Sequence, residues 1–146
     1  FMQNKNRARY DVIDLLSERH QLLRELLEEH WNNEHDISIS NTEWYILSKV
    51  YQNNHPPLSI VTKHINISRQ AIHKQVKNLE AKGLVLIENV KYNKKEKCLV
   101  LTEEGKTLYE KYEVLKASLE EKIASEIGEE NMKMLKEILQ LDWGIE

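Results

Sequence analysis

Between residues 67 and 102 the apolar pattern changes period, and that change constrains the fold more than any other feature. In "ISRQAIHKQVKNLEAKGLVLI" (residues 67–87), Ile72, Val76 and Leu79 fall within roughly 60° of one another on a helical wheel. Ser68 stands where an N-cap belongs, and Gly83 suits the position just past a last helical turn. Two aliphatic runs follow, "LVLIENV" (84–90) and "CLVLT" (98–102), which read as short strands. The polar "KYNKKEK" (91–97) then reads as the tip of a hairpin joining them.

The rest of the chain is helical in period. Val12, Leu15, Leu16, Leu22, Leu23, Leu26 and Leu27 predict a long amphipathic helix over residues 10–30, broken by "WNNEHDISIS". "SNTEWYILSKVYQNN" begins a second helix, with Ser40, Asn41 or Thr42 as cap and Leu47, Val50 and Tyr51 facing inward. The prolines of "HPP" end it, and "LSIVTKHIN" gives a short helix. From Thr102 the pattern is helical to the end, along a stripe of Leu108, Tyr112, Leu115, Leu119, Ile123 and Ile127. Gly128 interrupts it before Met132, Leu135, Ile138 and Leu139.

The fold class is therefore mainly α with one small β-hairpin: a winged helix-turn-helix between two arms that each carry an apolar stripe. The expected boundaries are 1–39 for an N-terminal dimerisation helix and linker, 40–101 for the winged helix-turn-helix, and 102–146 for C-terminal dimerisation helices, all in one intertwined domain. Two long striped arms separated by the winged helix need a partner, and a second copy supplies one.

Charge is distributed by region. The net charge is −3, yet residues 44–97 carry ten Lys and Arg against three acids, and no acid lies between Glu43 and Glu80. Residues 1–43 hold five cations against nine acids, and residues 98–146 six against twelve. A basic segment between acidic arms points to a polyanion site on a scaffold that resists non-specific sticking.

On the helix beginning at Ser68, Gln70, Lys74 and Lys77 point away from the apolar face, with His73 on their flank. A B-DNA major groove admits such a helix, and its first turn does most of the reading. That nominates Arg69, Gln70, His73 and Lys74 for base edges, with backbone N–H groups at Ser68 and the ammonium of Lys77 for phosphate. Lys91, Asn93, Lys94, Lys95 and Lys97 form the second basic element, at the hairpin.

The sequence resembles the MarR family of bacterial winged-helix transcription regulators. "ISRQAIHKQVKNLEAKGLV" is similar to that family's recognition helix and its exit into the wing, and "NKKEKCLVLTEEG" to the wing and the start of the next helix. The helix order on either side agrees. The resemblance implies an obligate homodimer held by the terminal helices, a pseudo-palindromic operator, repression, and release by a small-molecule effector or oxidation. It departs at the wing, where the family usually has Asp-x-Arg and this chain has Asn93, Lys94 and Lys95. Lysine is a more strongly hydrated point charge than arginine, so Lys95 is expected on phosphate, and no aspartate is present to hold the wing by an ion pair.

Other sites are read as structural. Cys98 is taken as an inert strand residue ahead of a redox switch, since the family's peroxide sensors carry their cysteine near the N-terminus. His20, His30, His35, His55, His64 and His73 are scattered and match no metal-ligand spacing, so neither metal nor cofactor is expected. Tyr10, Trp31, Trp44 and Tyr45 are read as core ahead of an effector pocket. With four glycines there is no phosphate-cradling loop, nucleophile elbow or His-Glu-x-x-His, and no enzyme is expected. The single cysteine excludes an intramolecular disulfide framework, and no apolar run approaches the ~18 residues of a membrane span. No signal-peptide pattern opens the chain, Phe1 ahead of Met2 is set aside as an expression remnant, and a cytoplasmic setting is expected. The reading is a dimeric, sequence-specific regulator of transcription binding double-stranded DNA. The alternative is a winged-helix dimer whose basic face meets an acidic partner protein.

Overall fold

A computed structural model describes residues 7–63, 65–90 and 93–145, with the backbone alone described at residues 90 and 93–95. After a 3-10 turn at Arg7–Arg9, the order is α1 (Val12–Glu34), α2 (Asn41–Gln52), α3 (Leu58–Val61), α4 (Arg69–Ala81), β1 (Val85–Val90), β2 (Asn93–Leu101), α5 (Glu103–Ile127) and α6 (Glu129–Gln140). This is the expected order, a mainly helical chain with one antiparallel two-stranded sheet.

The chain divides into two compact units, one ending at Tyr109 and the other starting at Glu110. In the first, Asp11 caps α1 by accepting from Asp14 N at 2.9 Å. The helix runs past its expected end because Trp31 is anchored in the core, 1% exposed, with Nε1 donating to the Ile37 carbonyl at 3.0 Å. Ser40 is the cap of α2 and forms a reciprocal capping box with Glu43, whose carboxylate accepts from Ser40 N. α3 is only four residues long, entered through Pro57, whose ring disfavours helical geometry at Pro56 before it. Ser68 caps α4 by accepting from Ala71 N at 3.1 Å, and the chain leaves it through Gly83 at φ +78°.

The hairpin differs most from expectation. Val85 pairs with Leu101, Ile87 with Leu99, Glu88 with Cys98 and Asn89 with Lys97, and the ladder resumes at Val90 and Asn93 after a register shift. Residues 93–97 are therefore strand and not hairpin tip. A solvated two-stranded ribbon needs no apolar alternation; the backbone ladder and cross-strand polar pairs suffice. One such pair is Lys97 Nζ donating to Asn89 Oδ1. The other edge of β2 takes the segment before α3, through Leu99 N to the Pro56 carbonyl at 3.0 Å and a bridge between Pro57 and Cys98.

The core of this unit gathers Trp31, Trp44, Ile46, Leu47, Val61, Ile72, Val76, Leu79, Val85 and Leu99. Trp31 meets Trp44 edge to face at 4.8 Å, so both belong to the core, as the sequence suggested. Tyr51, expected inward, is 41% exposed, its ring tilted against that of Tyr109 at 4.8 Å. The next helix is seated by Thr102: its Oγ1 accepts from Gly105 N at 2.9 Å and donates to the Gly83 carbonyl at 2.6 Å, while its N–H donates to the Leu84 carbonyl at 3.1 Å.

In the second unit Gly128, at φ +97°, turns the chain between α5 and α6. Lys136 of α6 pairs with Glu120 of α5 at 3.1 Å. Helix ends at Gln140 and not at the C-terminus; Trp143 Nε1 folds the tail back onto the Ile138 carbonyl at 2.8 Å. Leu115, Leu119 and Ile123 of the expected stripe are half-buried and Ile127 is exposed. Met134, Leu135, Ile138, Leu139 and Leu141 stand open on α6 and its tail. No helix among the described residues is long and apolar enough to cross a membrane.

Candidate nucleic-acid interface

Helix α4 is divided by its own periodicity. Ile72, Val76 and Leu79 are buried, while Ser68, Arg69, Gln70, His73, Lys74 and Lys77 are all exposed. The first turn contains no acid. Ser68 Oγ is committed to Ala71 N, and the remaining N–H groups of that turn have no partner within the helix, so the end carries partial positive charge. Lys77 leans toward Glu80 at 3.5 Å, an exposed pair worth little and easily exchanged. Of the eleven nominated residues, Gln70, His73, Lys74 and Lys77 thus share the solvent face of α4, and Ser68 and Arg69 are exposed at its N-terminal end.

The wing holds the other five. Lys97 is exposed. Lys91 lies outside the described residues, as do the side chains of Asn93, Lys94 and Lys95, whose backbone is in β2. No aspartate holds this wing, but the structure supplies another tie that the sequence did not suggest. Ser59 Oγ of α3 donates to Glu96 Oε1 of β2 at 2.9 Å. Glu96 faces the helix-turn-helix and so places no unpartnered carboxylate on the wing.

Two residues change role. Lys82, counted in the basic segment, does not join the surface: its Nζ bonds both oxygens of Glu43, at 2.9 and 2.7 Å, and the Ser38 carbonyl at 2.8 Å. Tyr45, read with the core, is half-buried and lines an open cleft of about 320 Å³ between α1, the start of α2 and the segment before α4. His20, Arg24, Glu25, Ile65 and Asn66 share its wall. Cys98 is buried in β2, opposite Glu88. No group of three His, Cys, Asp or Glu among the described residues is placed to hold a metal ion.

No protein-family model matches the chain, and no curated protein sequence does. Solved structures do match over nearly its whole length. The Staphylococcus aureus MepR–DNA complex gives a TM-score of 0.72 at 18% identity, covering 89% of this chain and 94% of that one. FabT of Streptococcus pneumoniae in complex with DNA gives 0.74 at 18%, covering 88% and 90%. PcaV of Streptomyces coelicolor, in complex with its natural ligand, gives 0.70 at 17%, covering 95% of each chain. These neighbours are MarR-family regulators, and this chain has their winged-helix fold.

Proposed function

We propose that the chain is a sequence-specific DNA-binding transcription regulator that acts as a homodimer, as a repressor on a pseudo-palindromic operator. The observation that carries this reading is the face of α4: Gln70, His73, Lys74 and Lys77 exposed on it, Ser68 and Arg69 exposed at its start, a first turn without acid, and a buried opposite face that fixes which way the four point. Phosphate contacts by Lys74, Lys77 and the wing lysines supply affinity, and Gln70, His73 and Arg69 supply sequence preference at base edges. The solved DNA complexes of MepR and FabT support the same use of the fold.

A second copy accounts for the apolar surface left open on the terminal helices, Val12, Ile13 and Leu16 on α1 and Met134, Leu135, Ile138 and Leu139 on α6. The expected organisation of 1–39 and 102–146 as dimerisation regions follows. Two symmetry-related readers then call for half-sites about one helical turn, ~34 Å, apart. A small-molecule effector is assigned to the cleft beside Tyr45, whose wall includes Ile65 and Asn66 just before α4. It would act only through its differential affinity for the competent and incompetent geometries.

Selection from a random double-stranded DNA pool at near-physiological salt tests the reading. An enriched inverted repeat with half-sites one turn apart is the expected result. Binding without enrichment would reduce the role to non-specific association, and no binding would transfer the basic face to an acidic protein partner. With the repeat in hand, Gln70→Ala should relax preference at one or two positions by ~1–3 kcal/mol each while leaving affinity for unrelated DNA unchanged.

A further inference from the structure

Glu43 is the only buried charged side chain among the described residues, 4% exposed, and it belongs neither to the exposed face of α4 nor to the cleft. Its Oε1 accepts from Ser40 N at 3.1 Å and from Lys82 Nζ at 2.9 Å, and its Oε2 accepts from the same ammonium at 2.7 Å. Lys82 also reaches the Ser38 carbonyl at 2.8 Å. Glu43 lies in the first turn of α2, and Lys82 is the C-cap of α4. Each charge therefore sits at the helix end whose dipole favours it. Ser40 Oγ, 3.5 Å from Gln75 Oε1, adds a weaker contact to the middle of α4.

An ion pair taken out of water contributes little net stability, because desolvation offsets most of the attraction. Direction is what it supplies. The carboxylate, the ammonium and the Ser38 carbonyl are satisfied together in one placement of α4 against α2, whereas the burial of Ile72, Val76 and Leu79 is non-directional. We propose that Glu43 and Lys82 are positioning residues for DNA recognition, setting the angle and depth at which α4 is presented and thereby the discrimination between sequences. The inference deepens the operator-reader function and rests on it. Contacts to base edges tolerate only a few tenths of an ångström. Flexible lysines can follow a phosphate through a larger shift.

The test is the double substitution Glu43→Gln/Lys82→Met. Glutamine preserves the capping box with Ser40, methionine preserves the aliphatic stem, and both charges leave together so that neither is stranded. The probes are the duplex selected by the unaltered protein and a scrambled duplex of equal composition, measured at one salt concentration and below the melting transition. The ratio of the two affinities should fall ~10-fold or more, while affinity for the scrambled duplex stays within ~2-fold, since no phosphate-facing lysine has been removed. Lys82→Arg should keep most of the ratio, because a guanidinium can bond both oxygens of Glu43.

An unchanged ratio overturns the inference, and so does an equal fall on both duplexes. A double variant without a cooperative melting transition also overturns it, by assigning the pair to stability. Failure of the unaltered protein to select any sequence is a separate result, seen before any variant is made; it overturns the operator reading and the inference with it.

Discussion

Gly105→Ala is expected to lower the melting temperature by ~10 °C, although alanine is the better helix former. A Cβ at residue 105 would lie 2.0 Å from the Leu84 carbonyl oxygen and 2.9 Å from its carbon. Both are backbone atoms, held in place by Thr102, which donates to the Leu84 and Gly83 carbonyls and caps the turn containing Gly105. No rotamer change relieves the clash, so α5 must move off the start of β1 by more than an ångström. Overpacking of this kind costs ~3 kcal/mol or more, against at most ~1 kcal/mol gained in helix propensity. A thermal melt decides it, and an unchanged or higher midpoint would mean that the α5–β1 seam is compliant. The close approach explains the glycine in "LTEEG" by packing alone.

Lys74→Ala/Lys77→Ala should leave the melting temperature nearly unchanged and reduce binding to all DNA by on the order of 10- to 100-fold. Both residues are exposed, and the 3.5 Å contact of Lys77 with Glu80 is too weak to matter to the fold. Each lost phosphate contact lowers the slope of log affinity against log salt by ~0.9, so the pair should flatten it by ~2 per engaged protomer. Titrations at several salt concentrations read this directly. An unchanged slope would remove α4 from the phosphate backbone and the recognition assignment with it. The contrast with Gln70→Ala, which should alter preference and leave the slope alone, separates the two kinds of contact.

What the sequence made legible was what local chemistry punctuates. α4 has a serine at one end and a glycine at the other, and both capping predictions hold to the residue. The exposure of its polar face followed from the same period. The end of α1 was not legible, because Trp31 is retained in the helix by a core that residues 39–99 complete. Strand β2 was not legible for a different reason: residues 93–97 are polar throughout, and nothing in their order distinguishes strand from turn. The tie between Glu43 and Lys82 spans 39 positions, so a regional charge count placed Lys82 with the surface cations. Half of that tie was within reach, since Ser40-x-x-Glu43 spells a capping box. Ser59 and Glu96 offered no signal, being ordinary surface residues until the fold brings them together.

The long β2 turns the wing into a lever. From Leu101 to Asn93 the strand spans ~26 Å at ~3.3 Å per residue. A tilt of only ~5° at its root would carry the far end by ~2 Å, enough to break any hydrogen bond made there. The strand is held against such a tilt at Leu99, which bonds the Pro56 carbonyl near the root, and again at Glu96, which Ser59 holds ~10 Å from the far end. Substitutions at those four residues would release the strand, and the displacement would be largest at its far end, at the backbone of Asn93.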